Sequence, residues 1–118
     1  CVTQEIIARG LDAARETGGA IAAVPAKDTI KAVGQDRLVT DTPPRERLWQ
    51  VQTPQVFRYD ILQAACVAGG NDATDDASLV ERAGHRVKVF MGDYENIKVT
   101  TPEDLPLAEL FLRRRAKE

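Results

Sequence analysis

A run of apolar residues with no polar interruption, Ala20-Ile21-Ala22-Ala23-Val24, stands between Gly18-Gly19 and Pro25. No other feature limits the fold of this chain so sharply. A strand with one wet face alternates apolar and polar side chains. One that does not alternate needs cover on both faces, which is the habit of a parallel strand inside a helix-covered sheet. The residues before it supply such cover. Thr3 is a capping residue, and Val2, Ile6, Ile7, Leu11 and Ala14 recur near a 3.6-residue period. Gly18-Gly19 ends that helix and Pro25 closes the strand.

Residues 26–49 read differently. Asp28–Val33 and Arg37–Thr42 alternate loosely around Gly34-Gln35-Asp36, the pattern of a β-hairpin. Lys27, Lys31, Arg37, Asp41, Arg45 and Arg47 make it polar on both faces. A two-stranded hairpin is marginal alone. It is either a solvated surface feature or an arm that rests on a second subunit.

Leu48–Phe57 alternates again and is expected to pair back into the main sheet. Phe57, Ile61, Leu62 and Ala65 mark a helix face, stopped by Gly69-Gly70, with Cys66 read as a small core residue. Thr74-Asp75-Asp76 starts a further helix, its acids beside the positive end, and Gly84 stops it. Val87, Val89 and Met91 alternate as a strand, and Asn96–Val99 is expected to be a second short one. Thr101-Pro102-Glu103-Asp104 opens a last helix carrying Leu105, Ala108, Phe111 and Leu112. Pro106 lacks the N–H that a helix begun at Pro102 requires there. The first turn is therefore distorted, or the regular helix starts nearer Pro106. Arg113-Arg114-Arg115 reads as a solvated helix end that offsets the negative pole. Helices alternating with short strands make an α/β fold with a mostly parallel sheet. Ligands in such folds bind outside the carboxyl ends of the strands.

The 118 residues suffice for one core. A net charge of −2 and 5% aromatic residues argue against nucleic acid as a partner. No apolar run reaches the length of a membrane span, and the first residues lack the apolar stretch of a signal peptide. Two cysteines, Cys1 and Cys66, without metal-ligand spacing suit a reducing, cytoplasmic setting. The chain begins on Cys1, which reads as a piece of a longer protein or a chain with its front removed.

No Ser-His-Asp or Cys-His constellation is formed. His85 is the lone imidazole, in a turn between helix and strand. Asp75-Asp76 could hold a cation, but two acids at this point read as a helix cap. Neither GxxxxGK[ST] nor GxGxxG occurs, so a phosphate-cradling loop is not among these residues. What remains is basic residues beside hydroxyls: Lys31 near Thr29, Arg45 before Leu48-Trp49, and Lys98 between Asn96 and Thr100. A cation plus a hydroxyl suits a phosphate oxygen, although such residues also commonly face water.

Four stretches carry a resemblance. Pro25-Ala26-Lys27-Asp28-Thr29-Ile30-Lys31 resembles the P-x-x-D-T-[IL]-K segment of the 2-C-methyl-D-erythritol 4-phosphate cytidylyltransferases. Arg45-x-x-Leu48-Trp49-x-x-Gln52-Thr53-Pro54-Gln55-x-Phe57 is similar to their R-x-x-L-W-x-x-Q-T-P-Q-x-F. Thr74-Asp75-Asp76-Ala77-Ser78-Leu79-Val80-Glu81-x-x-Gly84 resembles their T-D-[DE]-A-x-x-[VL]-E-x-x-G. Asn96-Ile97-Lys98-Val99-Thr100-x-Pro102-Glu103-Asp104-Leu105 resembles N-I-K-[VL]-T-x-P-E-D-L. The stretches follow in order along nearly the whole chain.

The resemblance implies part of a Rossmann-like nucleotidyltransferase fold with a protruding β-hairpin arm at about residues 26–49. It implies the C-terminal portion of a single cytidylyltransferase domain, the N-terminal CTP loop being absent from residues 1–118. The implied reaction joins CTP and 2-C-methyl-D-erythritol 4-phosphate into 4-diphosphocytidyl-2-C-methyl-D-erythritol and pyrophosphate, in non-mevalonate isoprenoid biosynthesis. Mg²⁺ is implied as a cofactor bound mainly through the CTP phosphates. Carried over by motif, Lys98 stabilises the transition state and the phosphates, and Thr29 and Arg45 grip the methylerythritol phosphate from the arm. Thr53 lies on the substrate side of the same site. The arm is implied to reach into the other subunit of a homodimer. These residues alone are expected not to turn over CTP. Two other readings stand beside this one, a cytidylyltransferase of the ribitol 5-phosphate type and a non-catalytic dimerisation module.

Overall fold

A computed structural model of the chain describes residues 1–69 and 75–117. Gly70 and Thr74, expected at a helix stop and a helix start, lie outside the described residues. The elements run α1 (Gln4–Thr17), β1 (Gly19–Pro25), β2 (Ala32–Val33), β3 (Val39–Asp41), β4 (Trp49–Phe57), α2 (Tyr59–Ala68), α3 (Asp76–Arg82), β5 (Lys88–Met91) and α4 (Asp104–Ala116). A short 3-10 turn, Arg45–Arg47, precedes β4.

The apolar run forms the central strand. Among the described strands the order is β4-β1-β5, and every residue from Gly19 to Val24 is buried. β5 pairs with β1 in parallel, Ala20 opposite Lys88 and Ala23 opposite Met91. β4 pairs antiparallel, Gly19 opposite Phe57 and Pro25 opposite Trp49. The α/β reading holds, and the sheet is mixed. The reason is the excursion between β1 and β4. The chain leaves β1 at Pro25 and returns beside the same end, where the Ala26 N–H donates to the Leu48 carbonyl at 3.0 Å. A strand that re-enters at the end where its neighbour left can only run back antiparallel.

Helix α1 covers one face of β1. Thr3 caps it, its hydroxyl accepting from the Ile6 N–H at 3.2 Å. Gly18 ends it in the left-handed conformation, φ +85°, its N–H donating to the Ala14 carbonyl at 2.7 Å. Ile6, Ala13 and Ala14 pack with Ala20, Ala22 and Phe90, with Val56 beside them. Gly10 permits this approach, because a Cβ there would lie 2.7 Å from Phe90 Cζ. Val2, Ile7 and Leu11 stay on the exposed side of α1. Helix α3 contacts β1, burying Ala77 and Val80, and α2 packs on α3 through Ala65. β1 is thus covered above and below, as its lack of alternation requires.

Three expectations are corrected. Cys66 is exposed, because α2 buries only the Ala65 side against α3. β5 buries Phe90 rather than the Val89–Met91 parity, because Phe90 faces α1 across Gly10. Asn96–Val99 forms no strand; the Asn96 side chain bonds across to β4 in place of a ladder. Of the two expected ways of accommodating Pro106, the structure takes the later start: α4 begins at Asp104, which puts Pro106 in the first turn where its missing N–H costs nothing. His85 is exposed in the turn after α3, as expected.

The last helix is entered through a carboxylate. Asp104 accepts from the Thr100 and Thr101 N–H groups at 3.0 Å each and from the Thr100 hydroxyl at 3.2 Å. The Thr100 N–H, followed by that of Thr101, holds this carboxyl below its ordinary value.

Two outcomes are expected. Gly18→Ala forces a side chain into the left-handed region and puts its Cβ 2.4 Å from Ile61 Cδ1. It should lower stability by about 1–2 kcal/mol, read as a shift of the denaturant midpoint; an unmoved midpoint contradicts the strain at this cap. Asp104 has a depressed folded-state value. Its contribution is therefore present above the unfolded carboxylate value of about 3.9 and fades as pH falls from there through the folded value. The melting temperature of Asp104→Asn should lie below wild type at pH 7, with the gap closing toward pH 3. A gap that widens on acidification refutes the assignment.

Candidate active site

A cleft of about 800 Å³ lies beyond the carboxyl end of β5 and against the middle of β4. Gln52, Thr53, Gln55, Asp75, Lys98 and Asp104 line it. β4 supplies one wall through an irregularity. Ile21 pairs with Gln55 and Ala23 with Val51, so β4 carries two more residues than β1 across this step. The extra length falls on Gln52-Thr53-Pro54, where the Thr53–Pro54 peptide is cis. Proline has no N–H to give a ladder, and such bulges redirect side chains out of the regular pleat.

The loop from Gly92 to Glu103 supplies the other wall. Its first half is fixed by side-chain amides. The Gln52 Nε2 donates to the Asp93 carbonyl at 2.8 Å, and its Oε1 accepts from the Asp93 N–H at 3.3 Å. Asn96 is the one buried polar side chain among the described residues. Its Nδ2 donates to the Thr53 carbonyl at 2.7 Å and reaches Gln52 Oε1 at 3.4 Å. The second half is fastened by Asp104 through Thr100 and Thr101. Lys98 sits between these anchors, exposed, with no hydrogen-bond or ion-pair partner among the described residues.

The rim at the start of α3 is Asp75. It caps the helix, accepting from the Ser78 N–H at 2.9 Å and the Ser78 hydroxyl at 2.6 Å. Gln55 Nε2 adds a bond at 3.3 Å. The Ser78 hydroxyl leads in pulling its carboxyl below the ordinary value, against a smaller opposing effect of burial. The cap expected of the Asp75-Asp76 pair is therefore made by Asp75.

Of the residues singled out in the sequence, Lys98 and Thr53 meet at this cleft. Thr29 and Arg45 do not line it. Thr29 lies on the exposed stretch between β1 and β2. Arg45, in the 3-10 turn, donates from Nη1 to the Lys27 carbonyl at 2.8 Å. The root of the hairpin is held there, with Lys27 Nζ 3.8 Å above the Tyr94 ring and the Tyr94 hydroxyl donating to the Pro25 carbonyl at 2.6 Å. Gln52, Gln55, Asn96 and Asp104 belong to the cleft although sequence reasoning gave them no role. They stand inside the quoted motifs, but single amides in polar segments carry no periodic signal, and the side-chain partners of Gln55 and Asn96 lie 20 and 44 residues away.

Among the described residues no group of three or more histidines, cysteines or acids gathers to hold a metal ion. The two acids of the cleft, Asp75 and Asp104, are both spent on backbone N–H groups. Among the described residues the cleft therefore presents no acid cluster that fits a resident Mg²⁺.

The arrangement is a polar cleft with one unengaged ammonium, one threonine on a redirected strand segment, and amides fixing both. Lys98 offers an anionic ligand a cation that no described side chain neutralises, although Asp75 and Asp104 line the same cleft. The model of the family described as 2-C-methyl-D-erythritol 4-phosphate cytidylyltransferase (IspD) matches residues 1–114. Curated relatives bearing that name include one from Geobacter metallireducens, 50% identical over 117 residues, covering 97% of this chain and 50% of the relative. Another, from Geotalea uraniireducens, is 57% identical over 111 residues, covering 92% and 47%. The chain thus spans about half the length of the curated relatives it matches. Among solved structures, the 4-diphosphocytidyl-2C-methyl-D-erythritol synthase of Anaerococcus prevotii superposes with a TM-score of 0.84 at 34% identity, over 94% of this chain and 53% of that one. The cytidylyltransferase of Thermus thermophilus gives 0.83 at 36%, over 96% and 57%. The motifs, the α/β fold and the family match converge, and the chain belongs to the 2-C-methyl-D-erythritol 4-phosphate cytidylyltransferase family.

Proposed function

We propose that these residues form the sugar-phosphate side of a cytidylyltransferase site that condenses CTP with 2-C-methyl-D-erythritol 4-phosphate. The observation that carries this reading is the unengaged Lys98 ammonium beside Thr53 in the large polar cleft. A phosphate oxygen of the sugar alcohol attacks the α-phosphorus of CTP, a new O–P bond forms, and the bond to the pyrophosphate leaving group breaks. Negative charge spreads over the phosphoryl oxygens. A cation already aimed at that charge lowers the barrier without any bond to the protein. Lys98 supplies it, and the Thr53 hydroxyl orients the acceptor phosphate.

Holding the triphosphate is left to the half of the protein that this chain does not span, since no phosphate-cradling sequence occurs here. Mg²⁺ would be carried by the CTP phosphates, where it would neutralise their charge; Asp75 and Asp104 already accept N–H donors of this chain. A cytoplasmic location belongs to the same proposal and is supported by the two unpaired cysteines.

The arm completes the reading. Every residue of β2 and β3 is exposed, and Val33, Leu38 and Val39 are 52%, 66% and 56% accessible. Apolar side chains on a two-stranded ribbon call for cover from another body. We assign that cover to a second copy, with Thr29 and Arg45 serving the partner's cleft. Arg45 uses one N–H on Lys27 and keeps four donors for a phosphate.

In the complete protein, Lys98→Ala should lower kcat by about 10² to 10³-fold, with a much smaller change in KM for CTP; an unchanged kcat removes Lys98 from the chemistry. The shared site is tested by refolding Arg45→Ala and Lys98→Ala together. In a mixed dimer one site keeps its own Lys98 and receives intact Arg45 from its partner, while the other carries both defects. Cytidylyl transfer well above either homodimer is expected. Mixed dimers that form and stay inactive place Arg45 within its own subunit or outside the reaction.

A further inference from the structure

The loop that carries Lys98 is attached to β4 by two side chains that make no contact with a phosphate in any reading above. Gln52 presents both ends of its amide to the Asp93 backbone, accepting from the N–H and donating to the carbonyl. It does with a side chain what a neighbouring strand does with its backbone. Asn96 then donates to the Thr53 carbonyl, and its own N–H donates to Asp93 at 2.9 Å. Gly92 leaves room for this arrangement. A Cβ at position 92 would lie 2.2 Å from Gln52 Oε1 and 3.5 Å from the Ala23 nitrogen. The Gly92 N–H donates to the Ala23 carbonyl at 2.9 Å, so the backbone there cannot easily withdraw.

The consequence is positional. Lys98 lies two residues beyond Asn96, and Thr53 one residue beyond Gln52. A buried amide that joins the two segments therefore sets the distance between the cation and the hydroxyl. A surface loop without ladder bonds would otherwise let a four-carbon lysine stem wander, and a misplacement of about 1 Å costs about 10²-fold in rate. Burying an asparagine is tolerated only when its hydrogen bonds are made. Here the carbonyl it satisfies is that of the redirected Thr53.

We propose that Gln52 and Asn96 are positioning residues that act through Lys98 and Thr53, with Gly92 as the opening that lets them do so. The inference rests on the cytidylyltransferase reading of the cleft. Asn96→Asp removes the donor while keeping the volume, and Gly92→Ala displaces the Gln52 amide without touching its chemistry.

The test measures CTP and methylerythritol phosphate kinetics in the complete protein for wild type, Lys98→Ala, Asn96→Asp, Gly92→Ala and the Asn96→Asp/Lys98→Ala double variant, each after its fold is checked by thermal melting. Both single loop variants are expected to lose at least about tenfold in kcat with KM for CTP changed less than about threefold. The double variant is expected to be no slower than Lys98→Ala alone, since a residue acting through Lys98 has nothing left to act on. Multiplied losses in the double variant overturn the proposal and make Asn96 structural only. Should Asn96→Asp fail to fold, Gly92→Ala decides alone, and wild-type kcat in it overturns the proposal. A Lys98→Ala variant of wild-type activity is a different failure: it removes the reading of the cleft itself.

Discussion

The burial of β1 on both faces governs the rest of the molecule. Its six residues from Gly19 to Val24 have no wet side, so a helix must lie on each face before the strand is stable. α1 meets that need on one side through small residues, Gly10, Ala13 and Ala14, which bring the helix close to Ala20, Ala22 and Phe90. α3 meets it on the other with Ala77 and Val80. The helix and strand are joined with only Gly18 between them, and the left-handed turn at that glycine sends the chain straight back over its own helix.

With β1 fixed, the site is made where regular structure gives way. β4 follows β1 antiparallel until Gln55, then holds two residues more than its partner, and those residues face the cleft. The loop after β5 never forms a strand, because its hydrogen bonds go to Gln52, Asn96 and Asp104 side chains. A ladder would have put Lys98 on a fixed pleat shared with its neighbours. Side-chain anchors at both ends of the loop instead leave the ammonium without a partner among the described residues while fixing the backbone below it.

The hairpin belongs to a different energetic class. β2 and β3 bury none of their side chains, and the arm is joined to the body at a root built from Arg45 and Lys27, with Tyr94 and Pro25 beneath. Tyr94 lies in the same loop as Asn96 and Lys98. The root of the arm and the base of the cleft therefore share one segment of backbone, with Tyr94 four residues from Lys98.

Local chemistry is legible in the sequence. The Thr3 cap, the Gly18 stop, the non-alternating strand and the quoted motifs were each readable because the physical cause lies within a few residues of the effect. Propensity, capping and turn geometry act over that range. Lys98 stood out locally as a cation beside Thr100, whereas Thr53 was reached only through the resemblance. Tertiary contact decided the rest. Which parity of β5 turns inward depends on Gly10, about 80 residues away in the chain. Cys66 is exposed because α2 packs on α3 through the Ala65 side of the helix. The antiparallel course of β4 follows from where the arm re-enters, and the absence of a strand at Asn96–Val99 follows from the Thr53 carbonyl that Asn96 must satisfy. A buried polar group is bound by the partner it finds in space, and sequence distance carries no record of that partner.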